Sequence, residues 1–131
     1  MPGRAAGRMT PVDKVIALDP GEHAMAVRNV ASTLDVFRSH FPRRPVLPGV
    51  LILDDMVAVA RLALGEVDGR WTLVRADRLR YRHFVRPGQA MGIRVDVVGI
   101  AGDTATCRAA VSVGDRVVTT ADALVLRREV R

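Results

Sequence analysis

From Val50 to Leu64 the chain reads VLILDDMVAVARLAL, fifteen residues with three charges and no helix breaker. That is too long for a buried strand and matches a helix of about four turns. Pro48 and Gly49 stand just before it, and Gly65 follows as a natural C′ residue. Because the run is apolar nearly all round, the helix is expected to be enclosed rather than laid on a surface. The flanking sequence supplies the cover. Val12 to Leu18 and Ala24 to Val30 read as a hairpin around the turn DPGE. After the helix, Trp71 to Val85, Gly92 to Ile100, Thr104 to Val113 and Arg116 to Arg128 read as strands separated by the turn signals RPGQ, AGDT and VGDR. A hairpin, one buried helix and four further strands predict an α+β fold in which an antiparallel sheet wraps the helix.

The length of 131 residues suits one domain. Residues 1–10 are small, basic and aperiodic and are expected to be a flexible N-terminus, leaving 11–131 as the single domain. Aromatic residues make up only 4% of the chain, so the core must be built from aliphatic side chains. Cys107 is the lone cysteine; it can form no internal disulfide, is expected to pack within a strand, and fits a reducing, cytoplasmic location. No signal peptide is legible, and no apolar run approaches the ~20 residues that span a bilayer, so no membrane association is expected. The net charge of +6 rests on nineteen arginines and Lys14 and implies an acidic partner. Nucleic acid is disfavoured, because there is no binding motif and only one Tyr, one Trp and three Phe for base stacking.

The stretch SHFPRRPVLPGVLILDDM, Ser39 to Met56, concentrates the chemistry. Pro42, Pro45 and Pro48 each fix their own φ and restrict the residue before them, so His40 to Gly49 keeps little freedom. Pro48-Gly49 opens the helix, where free N–H groups and the positive dipole end can stabilise an oxyanion or enolate. Gly49 would let a substrate approach that backbone closely. Asp54 and Asp55 lie about one turn inside, and apolar surroundings would raise a carboxyl pKa toward that of a proton donor. A histidine base, a carboxylic acid and an anion-stabilising helix end suit proton abstraction beside a carbonyl with loss of a β-hydroxyl, and need no cofactor or metal.

HFPRRPVLPGVLILDDM also closely resembles the H-F-P-x-x-P-x-x-P-G-V-L-I-L-E/D signature of the FabZ/FabA-like 3-hydroxyacyl-(acyl carrier protein) dehydratases, and weaker similarity runs from VDKVIALDPG and VRNV to RYRHFVRPGQ. The resemblance implies a hot-dog fold, a six-stranded antiparallel sheet around one long central helix. It implies that His40 is the catalytic base, that Asp54 is the acid that helps the hydroxyl leave, and that the Gly49 N–H binds the thioester carbonyl. Pro48, Val50, Phe41 and Ala58 would then line the substrate site. The substrate would be a (3R)-3-hydroxyacyl chain carried by acyl carrier protein, in fatty acid or polyketide-like biosynthesis, and the product the trans-2-enoyl thioester. Histidine and acid meet across a dimer interface in that family. Aspartate is its FabA-like choice, whereas FabZ-like enzymes carry glutamate. Departures from the pattern are Arg43 in place of the glycine after H-F-P, Ala58 in place of a glutamine one turn beyond the acid, and the absence of the family's H-R-Y-P-F segment before Val12.

Other residues carry competing readings. Arg61 could satisfy Asp54 from two turns away, and Asp55 could face solvent, a partner or the site; Asp54 ranks first. His23 is expected beside its turn in solvent, and His83 in a structural role. In one extended strand Arg78, Arg80 and Arg82 would share a side, by default a solvated strand face and alternatively, with Arg43, a docking stripe for an acidic carrier protein. A hot-dog thioesterase and a non-catalytic carrier-binding subunit are the alternative functions. Unpaired sheet edges predict a homodimer formed by edge pairing, or a higher multiple of it.

Overall fold

The computed structural model describes residues 12–31, 46–66 and 69–129. The chain begins with a hairpin, β1 (Lys14–Asp19) and β2 (His23–Asn29), followed by helix α1 (Gly49–Leu64). Five strands follow: β3 (Arg70–Asp77), β4 (Arg80–Tyr81), β5 (Ala90–Ala101), β6 (Thr104–Val113) and β7 (Arg116–Glu129). They form one antiparallel sheet in the order β1-β2-β5-β6-β7-β3, with β4 paired to β7. Register shifts at Val15/Ala17, Leu73/Arg75, Val97/Gly99 and Cys107/Ala109 mark bulges. Bulges bend and twist the strands that carry them, and the helix accordingly touches β1, β2, β3, β5 and β6.

Alternation along the strands sets what the helix meets. Met91, Ile93 and Val95 of β5 and Ala105, Cys107, Ala109 and Val111 of β6 point inward, against Ile52, Met56, Val59, Ala60 and Ala63 of α1. Alanines on both sides, Ala24 and Ala26 of β2 and Ala60 and Ala63 of the helix, let backbones approach closely where bulkier residues would hold them apart. The DPGE turn closes with the Glu22 N–H on the Asp19 carbonyl at 2.9 Å, while Gly21, at φ 80°, donates to the Ala63 carbonyl at 2.8 Å. The hairpin is thus tied to the far end of the helix. At that end Gly65, at φ 77°, donates to Arg61, and the buried Trp71 donates its indole N–H to the Gly65 carbonyl at 2.8 Å. Arg128 lies over the indole, 5.2 Å from its centroid, a cation–π contact.

Three expectations change. The sheet has seven strands rather than six, because Trp71 to Val85 is not one strand. It breaks at Arg78, whose φ of 52° is the one positive value outside glycine among the described residues, and resumes only as the two-residue β4. Consequently Arg78, Arg80 and Arg82 form no continuous stripe: Arg78 lies 3.8 Å from Asp122, and Arg82 turns to a different surface described below. Thirdly, α1 is enclosed on one side only. Val50 is 61% exposed, Asp54 is exposed and Ala58 half-buried, so positions i, i+4 and i+8 form a stripe that the sheet of this chain leaves open.

Candidate active site

The helix start is built by three segments. Val46 to Pro48 leads in, and the Leu47 N–H donates to the Val85 carbonyl at 2.7 Å, which fixes that lead to the segment after β4. Pro48 is the N-cap and supplies no side-chain cap, and the first turn holds no acidic residue. The positive end of the helix is therefore unneutralised by its own side chains. Tyr81 completes the arrangement by donating its hydroxyl to the Gly49 carbonyl at 2.8 Å. Its ring lies against the Gly49 Cα so closely that a Cβ there would stand 2.7 Å from Cζ. Gly49 is thus required by a packing contact that the sequence did not announce: the room left by its missing side chain is filled by the Tyr81 ring.

Two cavities of about 420 Å³ each open at this point. The apolar one is lined by Leu47, Pro48, Gly49, Ile52, Phe84 and Val85 among others. Its neighbour carries Arg82, Arg86, Arg116 and Gln89. Tyr81, His83 and Phe84 border both. The first is apolar and the second basic, and the helix N-terminus lines the first.

The adjacent aspartates part company. Asp54 faces outward on the open stripe, and its charge contributes, after burial, to raising the Tyr81 hydroxyl above its ordinary pKa. It therefore belongs to the same electrostatic neighbourhood as the helix start. Arg61, the alternative partner for Asp54, instead donates through Nε to the Trp71 carbonyl at 2.7 Å. Asp55 is fully buried and accepts from Arg28 Nη1 of β2 at 2.8 Å. Burial pushes its carboxyl up to about 6 despite the pull of Arg28. Its Oδ2 has no hydrogen-bond partner among the described residues. The apolar setting expected of the acid thus surrounds Asp55, whereas Asp54 holds the accessible position.

Of the expected site residues, Pro48 and Gly49 line the apolar cavity, whereas Val50, Asp54 and Ala58 lie on the open stripe of α1 and line neither cavity. His40, Phe41 and Arg43 lie outside the described residues. His83, expected to be structural, is exposed and borders both cavities, and His23 is half-buried at the start of β2. Cys107 is buried, and burial pushes its thiol up to about 11, as suits a packing residue. Tyr81, Phe84, Arg86 and Arg116 were not singled out by the sequence. The tyrosine's signal was its place opposite the arginines in RLRYRHF; Arg116 comes from a remote turn and had none. Among the described residues no three His, Cys, Asp or Glu side chains group as a metal site, and no helix is long and apolar enough to cross a membrane.

Comparison with known proteins gives the family and the fold. The model of the FabA-like domain matches residues 4–122. The chain belongs to the FabA-like family. Curated relatives of this FabA-like chain include the 3-hydroxyacyl-[acyl-carrier-protein] dehydratase FabZ of Caldanaerobacter subterraneus subsp. tengcongensis, 31% identical over 122 residues, covering 90% of this chain and 86% of the relative. The FabZ of Pelotomaculum thermopropionicum is 35% identical over 115 residues, 85% of this chain and 82% of its own length. That of Latilactobacillus sakei is 39% identical over 105 residues, 72% and 75%. Among solved structures, PH1136 from Pyrococcus horikoshii superposes with a TM-score of 0.75 at 16% identity, covering 92% of this chain and 85% of that one. The dehydratase heterocomplex ApeI:P from Xenorhabdus doucetiae matches with a TM-score of 0.75 at 14% identity, covering 92% and 84%. At such identities these structures establish the shared fold, and the FabA-like chain has the hot-dog arrangement of one helix wrapped by an antiparallel sheet.

Proposed function

We propose that this protein is a 3-hydroxyacyl-[acyl-carrier-protein] dehydratase of fatty acid biosynthesis, converting a (3R)-3-hydroxyacyl thioester to the trans-2-enoyl thioester and water. The observation that carries the proposal is the uncapped helix start at Gly49, opening on an apolar cavity, with a surface-accessible Asp54 farther along the open stripe of the same helix. The thioester carbonyl accepts a hydrogen bond from the Gly49 N–H, so that negative charge developing on oxygen is met by the helix dipole. His40 removes a proton from C2, the C3–O bond breaks, and Asp54 delivers a proton to the departing hydroxyl, which leaves as water. The electron pair of the broken C2–H bond becomes the new C2–C3 double bond.

The acyl chain occupies the apolar cavity. The phosphopantetheine arm and its acidic carrier protein approach over Arg82, Arg86 and Arg116, and this surface replaces the straight stripe of Arg78, Arg80 and Arg82 as the docking site. The open stripe of α1, with Val50 and Asp54 uncovered, supports a homodimer in which His40 of one subunit meets Asp54 of the other.

Incubation with a 3-hydroxyacyl thioester tests the reaction. Enoyl product is expected; free thiol would indicate a thioesterase, and carrier binding without turnover a non-catalytic subunit. His40→Ala and Asp54→Ala should each lower kcat by about 10²- to 10⁴-fold, and full activity in either variant removes that residue from the mechanism.

A further inference from the structure

The most conformationally permissive residue of the helix start, Gly49, is gripped at two points by one side chain. Tyr81 Oη donates to its carbonyl at 2.8 Å, and the Tyr81 ring covers its Cα where a Cβ would come within 2.7 Å. Among the described residues nothing else of this kind restrains the first turn. Pro48 offers no side-chain cap, the turn has no acidic residue, and the Leu47 N–H to Val85 and Leu51 N–H to Pro48 bonds, the latter at 3.0 Å, are backbone contacts on either side of the glycine. Glycine loses more freedom on folding than any other residue, and the first N–H groups of a helix have no partners within it. A Gly49 N–H that must meet a developing oxyanion therefore needs an external restraint, and catalytic donors misplaced by about 1 Å can cost on the order of 10²-fold in rate.

From this geometry we infer that Tyr81 is a positioning residue for the dehydration, holding the Gly49 backbone so that its N–H is aimed at the thioester carbonyl. The inference rests on the dehydratase reading above and adds a residue to it. Tyr81 is well placed for the task, since it hangs from the short β4 pair with β7, at Tyr81 opposite Thr119, and so transmits the rigidity of the sheet to the helix start. The same ring borders both the apolar and the arginine-lined cavity, so it can hold the glycine without blocking the acyl site.

Tyr81→Phe separates the two contacts, because the ring stays and only the hydroxyl is lost. With a soluble short-chain 3-hydroxyacyl thioester, kcat is expected to fall about five- to tenfold, the worth of one ordinary hydrogen bond, with KM within about twofold of wild type. Tyr81→Leu, which loses both contacts, should fall about tenfold further in kcat. Thermal melting of both variants is recorded alongside. Wild-type kcat in Tyr81→Phe, a loss confined to KM, or a fall in kcat that scales only with the fraction unfolded would each overturn the assignment. Turnover by wild type with an unaffected Tyr81→Phe rejects the tyrosine's role alone. Absence of turnover by wild type rejects the dehydratase reading and the role together.

Discussion

Asp54 and Asp55 are neighbours in sequence, yet about 100° of helical rotation sends one outward and the other into the interior. Asp55 has exchanged water for a contact to Arg28, and burial outweighs that attraction, so its carboxyl is pushed up from 3.8 to about 6. In the unfolded chain the group has already lost its proton at pH 5, whereas the folded protein retains it. The folded state therefore binds more protons between about pH 4 and 6, and stability contributed by this group is greatest below pH 4 and is lost as pH rises through 6. Asp55→Asn, which keeps an acceptor for Arg28 but cannot titrate, should flatten that slope. Urea denaturation of both proteins at pH 4, 5, 6 and 7 checks it: the stability difference should shift in favour of the variant as pH rises, and a constant difference would sink the assignment. Which aspartate faces outward was not legible beforehand, because a run apolar on every side gives no polar face by which to orient it.

At the scale of the element, the helix start depends on a steric fit between two residues 32 positions apart in sequence. Gly49→Ala would drive a methyl group to within 2.7 Å of the Tyr81 ring, and forced overpacking of this kind costs about 1–3 kcal/mol. Because one contact is shared, the loss in Gly49→Ala/Tyr81→Ala should be smaller than the sum of the two single losses. Strict additivity in equilibrium unfolding would show that the ring and the glycine do not meet. The presence and ends of α1 were legible from the apolar run between Pro48 and Gly65, since both flanking residues act through their own backbone. The break at Arg78 was not, because Trp71 to Val85 contains neither Gly nor Pro and the turn is imposed by where Tyr81 and Val85 must dock.

For the molecule as a whole, the sheet ends at β1 and β3, whose outer edges have no strand partner among the described residues. Val74 of β3 is 57% exposed, and Val50 at the start of α1 is 61% exposed. Unpaired edges and exposed apolar side chains are both relieved by pairing with a second copy. Sedimentation velocity should find a species of twice 14.2 kDa. Val74→Lys on the edge strand should shift it toward monomer and remove activity in parallel, because the proposed mechanism takes His40 and Asp54 from different subunits. A monomeric Val74→Lys protein that retains full turnover would refute completion of the site across the interface.

The sequence by itself determined the order of hairpin, helix and strands and the start of the helix at Pro48-Gly49, because prolines, glycines and apolar runs act through local sterics and burial. Only the tertiary structure decided which carboxylate stays accessible, that Tyr81 fills the space beside Gly49, and that Arg82, Arg86 and Arg116 gather around one cavity. Those outcomes depend on how distant segments pack and where strands bulge, and the balance of burial against pairing at each position is set by neighbours that the local sequence does not name.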